Sequence, residues 1–240
     1  MSHAGSPSEP GGGKAAEVLL TEANARLSLL EANLPESVDG FAISPKSKLP
    51  FKALWYRDAL LWRTTQLGRS AAECFESNKL ASAVLLTRAT VETCAAVWHL
   101  RKKIEITIES GTSGNVDDDL MRLLMGGKVD SDILPPAVNV LNFVDRVDKD
   151  IPGFRDQYDR LSEIAHPNWA GTVFLFSTPD NRRGVANFGE HDRSADFAKK
   201  IGLVNLTAAL SILEFSYNKI SELMPEFIRL CESHAGPEKP

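Results

Sequence analysis

Cysteine and positive charge are both scarce in this chain of 240 residues. The three cysteines, Cys74, Cys94 and Cys231, form no C-x-x-C pair and have no histidine at ligand spacing. This pattern argues against a disulfide framework or a zinc site and favours buried, reduced thiols in a cytosolic protein. The formal net charge of −5 lacks the basic field with which general nucleic-acid binders neutralise phosphate. Any RNA contact must therefore be local, or depend on a dimer or a partner.

Signals for membrane insertion and for common cofactors are also missing. The uncharged apolar stretch 201–213 is too short to cross a bilayer, and the N-terminus carries no charged start followed by an apolar run. No glycine-rich loop of the kind that cradles phosphates follows a strand, and no serine sits in a nucleophile elbow. The histidines lack ligand-like spacing. We therefore predict a cytoplasmic protein with no membrane partner, no cofactor and no metal ion.

Most of the chain shows apolar residues at helical spacing, interrupted by proline and glycine. The predicted helices cover residues 14–34, 51–77, about 79–106, a short segment ending at 125, 135–149, 154–166 and 192–233. Two β-prone runs, 172–176 and 185–188, flank a turn-rich centre and predict a hairpin at about 172–188. Together these elements predict an all-α, up-and-down helical bundle with one small β-hairpin after the helix 154–166.

The ends of the chain differ from this core. Residues 1–13 and 235–240 contain little to bury and are predicted to be disordered. Residues 14–48 form an N-terminal helix and loop, and residues 49–234 form the bundle. The middle of the last helix is apolar on all sides, which places it either at the centre of the bundle or in a dimer interface.

The stretch with the clearest chemical potential is the helix end Tyr158-Asp-Arg-Leu-Ser-Glu-Ile-Ala-His-Pro-Asn168. Helical spacing puts Tyr158, Leu161 and Ala165 on the core face, and Asp159, Ser162 and His166 on another side. Arg160 lies off that line, although its long side chain has the reach to approach His166. Pro167 ends the helix at His166. A histidine at the negative end of a helix dipole, beside an arginine, suits phosphoryl-transfer chemistry.

A pair of charges upstream, Arg88 and Glu92, is spaced i, i+4 in an otherwise apolar helix. Partly buried charges of this kind must be paired. Two interpretations remain open. The pair is either an intrahelical salt bridge that anchors the bundle, or a support that orients Arg160 or His166.

These motifs resemble those of the HEPN superfamily, whose members are helical bundles, usually dimeric. Its ribonucleases carry an arginine and a histidine with four to six residues between them at the end of a late helix, and Arg160 and His166 have five residues between them. The chain also resembles an uncharacterised bacterial HEPN-like group that pairs an Arg-x-x-x-Glu helix with a Tyr-x-x-Leu-Ser-x-x-x-His-Pro-Asn segment. The resemblance covers about residues 49–230. A second Arg-x-x-x-x-His spacing, Arg229 to His234, is interpreted as accidental because it lies near a fraying chain end.

The resemblance implies a metal-independent endoribonuclease of a toxin, phage-defence or stress system. Arg160 and His166 are then catalytic, and Ser162 and Asn168 bind substrate, with Asp159, Tyr158, Arg88 and Glu92 in support. Catalytic members usually have a polar residue after the arginine, where this chain has Leu161. The implied partners are RNA, a second copy in a homodimer, and a protein such as an antitoxin. The alternative is a non-catalytic helical module that dimerises or binds a protein.

Overall fold

The computed structural model describes residues 12–129 and 133–235, and helices dominate this part of the chain. The helices are α1 (Gly12–Ala32), α2 (Gly40–Ile43), α3 (Leu49–Glu76), α4 (Leu80–Ser110), α5 (Val116–Met125), α6 (Val140–Asp150), α7 (Phe154–Ala165), α8 (Val173–Phe176) and α9 (Asp192–Ser233). The strands are β1 (Ser177–Asp180) and β2 (Val185–Phe188). The predicted all-α bundle with one small hairpin is confirmed.

The predicted disordered ends fall mostly outside the described residues. Residues 1–11 and 236–240 are not described, so the prediction for them stays a prediction. Gly12 and Gly13 belong to α1, which therefore begins two residues earlier than the sequence pattern indicates.

Helix α4 forms the centre of the core and packs most extensively against α9 and then α3. Its inward residues, among them Val84, Val91 and Leu100, are almost completely buried. Helix α1 lies across α9 and α3 and buries Ala23 and Leu27, so the N-terminal helix shares the core of the bundle. The contiguous burial of apolar side chains on these four helices is the main source of stability.

Helix α4 is also long and apolar enough to cross a membrane, by length and composition alone. Its most apolar window has a mean hydropathy of 1.4, but 61% of that window is buried inside the bundle. Burial of this extent is typical of the core helix of a bundle. The length and composition of α4 are therefore only weak evidence for a membrane span.

Glycines allow the long helices to approach closely. A Cβ atom at Gly202 of α9 would clash with the ring of Phe75 on α3. A Cβ atom at Gly68 would lie 2.8 Å from a methyl carbon of Leu27 on α1. These two positions fix how closely α9 and α1 pack against α3.

The predicted start of α6 is wrong. The sequence pattern begins this helix at Pro135, but the helix begins at Val140, after Asn139, whose side chain accepts a hydrogen bond from the Leu141 amide at 3.0 Å. The residues before it are held instead by a short bridge: the Gly127 amide donates to the Pro135 carbonyl, and the Ala137 amide donates to the Gly127 carbonyl. The Asn139 cap therefore starts the helix, rather than the prolines.

The first half of the predicted hairpin is also wrong. Residues 173–176 form the helical turn α8, and β1 begins only at Ser177, paired with Phe188. The β-prone residues of this run are used for packing: Leu175 is 3% exposed, and the Phe174 ring contacts the Phe197 ring edge-on at 5.5 Å. Side-chain packing against α9 overrides the local strand preference.

Helix α7 packs against α4, α6 and α9. Two positions of the predicted core face are confirmed, since Tyr158 and Leu161 are buried; Ala165 is only half-buried, and Ile164 is buried instead. Helix α8 and the hairpin connect its end to α9. The C-terminal end of α7 thus lies at the surface, between α4 and the start of α9.

Candidate functional site

The tyrosine of the motif joins a polar network with α4. Arg88 donates to the Tyr158 hydroxyl from Nη2 at 2.7 Å and from Nε at 3.2 Å. The hydroxyl donates in turn to Glu92 Oε1 at 2.7 Å, and the Arg88–Glu92 ion pair spans 3.3 Å. The three residues therefore form a closed set in which every charge has a partner.

This network keeps the tyrosine hydroxyl protonated. Burial and the hydrogen bond to Glu92 raise the pKa of Tyr158, and the nearby Arg88 lowers it by less. The guanidinium carbon also lies 5.2 Å from the centre of the tyrosine ring. The predicted intrahelical salt bridge is present, and its further contact is with the core-facing tyrosine. Within the described residues, no hydrogen bond connects Arg88 or Glu92 to Arg160 or His166.

His166 caps the end of α7 with an extended backbone, as expected for the residue before Pro167. Its backbone is extended, with φ −85° and ψ 151°, while its amide still donates to the Ser162 carbonyl at 3.0 Å. The residue is exposed. Among the described residues, no hydrogen bond or ion pair engages its imidazole. The imidazole is therefore open to an external ligand.

The turn after His166 is built around Asn168 and Gly171. Asn168 Oδ1 accepts the Gly171 amide at 3.1 Å, and its Nδ2 donates to Glu163 at 2.7 Å. A Cβ atom at Gly171 would overlap the carbonyl oxygens of Ile164 and His166. Only glycine allows the chain to fold back this closely on the helix end. Both polar atoms of the Asn168 side chain are thus engaged in holding the turn.

Two other predicted supporting residues are engaged locally. The Ser162 hydroxyl donates to the Tyr158 carbonyl one turn earlier, at 3.0 Å. Asp159 accepts from Arg155 Nε at 3.0 and 3.1 Å, as an exposed pair four residues apart. Neither side chain contacts Arg160 or His166 through a hydrogen bond within the described part of the chain.

Arg160 lies at an apolar pocket of about 530 Å³ rather than beside His166. Arg160 is exposed, and no described side chain forms an ion pair with it. The structure places both residues at the same helix end, and no hydrogen bond joins their side chains among the described residues.

Aromatic side chains from three separate segments form the walls of that pocket. Trp169 lies within the turn, Phe174 belongs to α8 and Phe197 to α9, and Ile164 and Ile201 complete the apolar lining. The sequence analysis does not identify these aromatic residues as part of a site. The one local signal is the position of Trp169 directly after the His-Pro-Asn segment.

A larger cavity of about 890 Å³ lies away from this site, between α2 and the start of α3. Its lining contains no histidine or arginine. Among the described residues, no group of three or more histidine, cysteine, aspartate or glutamate side chains is arranged to hold a metal ion. The helix end with Arg160 and His166 is therefore the best candidate for chemistry in the described chain.

Comparisons with known proteins give no independent identification. No protein-family model matches the chain, and no curated protein or solved structure is significantly similar to it.

Proposed function

We propose that this chain is a HEPN-like protein of the cytoplasm that cleaves RNA at the end of α7 without a metal ion. The observation that supports this most directly is the difference in engagement along the motif. Tyr158, Asp159 and Asn168 are all bound within the protein, whereas Arg160 and His166 are exposed and make no ion pair or side-chain hydrogen bond among the described residues. Charged and titratable groups left in this way are suited to an anionic ligand.

The proposed reaction needs only these groups, the RNA itself and solvent water. The ribose 2′-oxygen attacks the adjacent phosphorus, and the bond from phosphorus to the 5′-oxygen breaks. His166 accepts the proton of the 2′-hydroxyl, and solvent water protonates the leaving 5′-oxygen and later takes the proton from His166. Arg160 holds the negative charge of the phosphate. The products are a 2′,3′-cyclic phosphate and a 5′-hydroxyl.

The test is cleavage of total cellular RNA by the purified protein in EDTA, with analysis of the product ends. We expect His166→Ala to reduce the rate by roughly 10²-fold or more, the usual range for removal of a general acid or base. Arg160→Ala should also reduce cleavage severely, because the phosphate loses its cation. Neither change should alter folding, since both side chains are exposed.

The chain supplies matched controls in its second Arg-x-x-x-x-His spacing. Arg229 and His234 are likewise exposed, at the end of α9, and His234 bonds only to its own helix end. Arg229→Ala and His234→Ala should leave cleavage unchanged. Cleavage that survives in His166→Ala, or that is lost equally in His234→Ala, would refute the assignment. No cleavage by the parent protein on cellular RNA would favour the alternative below.

The alternative is a non-catalytic module that dimerises, and one observation favours it. Helix α9 has an outward stripe at alternating spacings of four and three residues, the pattern of a coiled-coil seam. The stripe comprises Phe197, Ile201, Val204, Ala208, Ser211 and Phe215. Phe197, Val204 and Phe215 are 46%, 41% and 53% exposed. Large apolar side chains aligned on one exposed face mark a protein–protein interface.

Charges near the two ends of the stripe suit antiparallel pairing of two copies. Lys200 lies near its start and Glu214 near its end; both are exposed, and Glu214 already pairs with Arg26 of α1 at 3.1 Å. In an antiparallel pair, each Lys200 approaches Glu214 of the partner subunit. The same face could instead receive a helix of a protein such as an antitoxin.

Light scattering on the purified chain separates these possibilities. We expect a dimer that Val204→Glu and Ala208→Glu convert to monomers, because each change buries a charge at the seam. Ser82→Glu, on the exposed face of α4, is the control and should leave the dimer intact. A parent protein that is monomeric at micromolar concentration would contradict dimerisation and leave the stripe for another protein.

A further inference from the structure

The aromatic pocket beside Arg160 has an unusual composition for a surface pocket. Trp169 is 65% exposed, and its ring centre lies 5.0 Å from that of Phe174. Phe174 in turn meets Phe197 edge-on, at 5.5 Å and 88°. Three aromatic rings from three segments thus converge, while two of them remain open to solvent.

Both charged residues at this pocket lie near the C-terminal end of α7. Arg160 supplies a cation without an ion-pair partner among the described residues. Glu163 supplies an anion, but one of its oxygens already accepts a hydrogen bond from Asn168 Nδ2. The pocket therefore combines flat apolar walls with a single available positive group.

This combination specifies the chemistry of the occupant. A bare phosphate would gain nothing from the rings, and an aliphatic ligand would gain nothing from the guanidinium. A nucleotide uses both, because any base can stack on an aromatic side chain while its phosphate binds arginine. The volume of about 530 Å³ is in the range of pockets that hold small ligands.

We propose that this pocket binds one unpaired nucleobase of single-stranded RNA, stacked on Trp169, with the neighbouring phosphate on Arg160. The inference deepens the proposed function and rests on it for the choice of RNA as ligand. Bases within a duplex are stacked and paired, so they cannot enter the pocket. The preferred substrate is therefore a single strand, a loop or a bulge, and Trp169, Phe174 and Phe197 determine where the strand sits.

Binding is measured separately from cleavage with a labelled RNA octamer carrying 2′-O-methyl groups. Such an oligomer has no free 2′-hydroxyl and cannot be cut by the proposed reaction. Fluorescence anisotropy with the full chain compares the single strand, the same strand in a duplex, and a nucleoside monophosphate as competitor. The single strand should bind at least tenfold more tightly than the duplex, and excess monophosphate, which carries one base and one phosphate, should displace it.

Trp169→Ala should weaken binding of the single strand by roughly tenfold, the usual effect of removing one stacking partner. The matched control is Trp55→Ala, since Trp55 is also 50% exposed but lies on α3. It should leave the affinity unchanged within twofold. Arg160→Ala should weaken binding and lower the slope of its salt dependence by about one charge.

The outcomes separate this inference from the proposed cleavage. Trp169-dependent binding of the 2′-O-methyl strand, with no cleavage of ordinary RNA, would support the pocket and refute the nuclease. Cleavage at an unchanged rate in Trp169→Ala would support the nuclease and overturn the pocket. Equal binding of duplex and single strand, no competition by excess monophosphate, or no binding at all would also overturn the pocket assignment.

Discussion

The two halves of the motif on α7 make opposite use of polar groups. Tyr158 faces the bundle, where its hydroxyl joins Arg88 and Glu92 with hydrogen bonds of 2.7 Å on either side. Arg160 and His166 are both exposed. Neither makes an ion pair with any described residue. One half of the motif thus connects α7 to the core helix, and the other half presents unengaged groups at the surface.

This difference shows that one sequence motif can combine a part that stabilises the fold with a part that is available to bind a ligand. A polar group taken out of water must be paired, so the Tyr158 network contributes to folding. An exposed arginine and histidine contribute little to folding, because water solvates them equally well in the unfolded chain. If this separation holds, changes in the first half affect stability and changes in the second half affect ligands.

The largest expected effect on stability comes from Glu92→Ala. It leaves Arg88 half-buried beside a tyrosine hydroxyl without its acceptor, at a cost of about 2–3 kcal/mol in the free energy of unfolding. Urea denaturation measures this loss, with Glu109→Ala on the exposed side of α4 as the control. A loss below about 0.5 kcal/mol, within the range of ordinary surface changes, would break the comparison.

Histidines provide a second test of the comparison between buried and exposed polar groups. His99 is only 8% exposed, whereas His166 is exposed. Burial, with Phe143 4.9 Å away, and the positive charges of Arg146 and Lys103 together lower the pKa of His99 to about 4, against the opposing effect of Asp119. The unfolded chain then binds the proton more readily than the folded chain.

Stability should therefore be retained above pH 6.5 and be lost as the pH falls from 6.5 towards 4. From pH 7 to pH 5 this loss is on the order of 2 kcal/mol. Thermal unfolding across that range checks the value, and His99→Leu should remove most of the pH dependence. An equal acid sensitivity in His99→Leu would show that other groups cause it.

The smallest effect is expected for Asp159→Ala. The Arg155–Asp159 pair is exposed, and pairs of this kind contribute about 0.2–1 kcal/mol. Raising the salt concentration should reduce the difference further, because ions screen exposed charges. A loss comparable to that of Glu92→Ala would place Asp159 with the structural half of the motif.

Much of the fold follows from the sequence, because helical periodicity is a local property. The bounds of α9 agree with the predicted 192–233, and the core positions Tyr158 and Leu161 are buried as predicted. The errors occur where distant contacts decide. Residues 173–176 form a helical turn rather than a strand because Leu175 and Phe174 pack against the bundle and α9. Such packing is not encoded in the local pattern.

Less of the candidate site follows from the sequence. The spacing of Arg160 and His166 is visible, but only the folded chain shows that Arg160 is directed to an aromatic pocket. That pocket combines Trp169 with Phe197, which are far apart in sequence. The sequence likewise does not reveal the outward stripe on α9. The buried residues Leu206 and Leu210 of this helix are as apolar as Val204 on its exposed face.

The most direct test of the separation is to measure thermal unfolding and RNA cleavage in parallel for Tyr158→Phe and His166→Ala. Tyr158→Phe should lower the melting temperature by several degrees and still cut RNA at temperatures where it is folded. His166→Ala should melt with the parent protein and fail to cut. A His166→Ala protein that cuts RNA normally, or that melts earlier than Tyr158→Phe, would contradict the account.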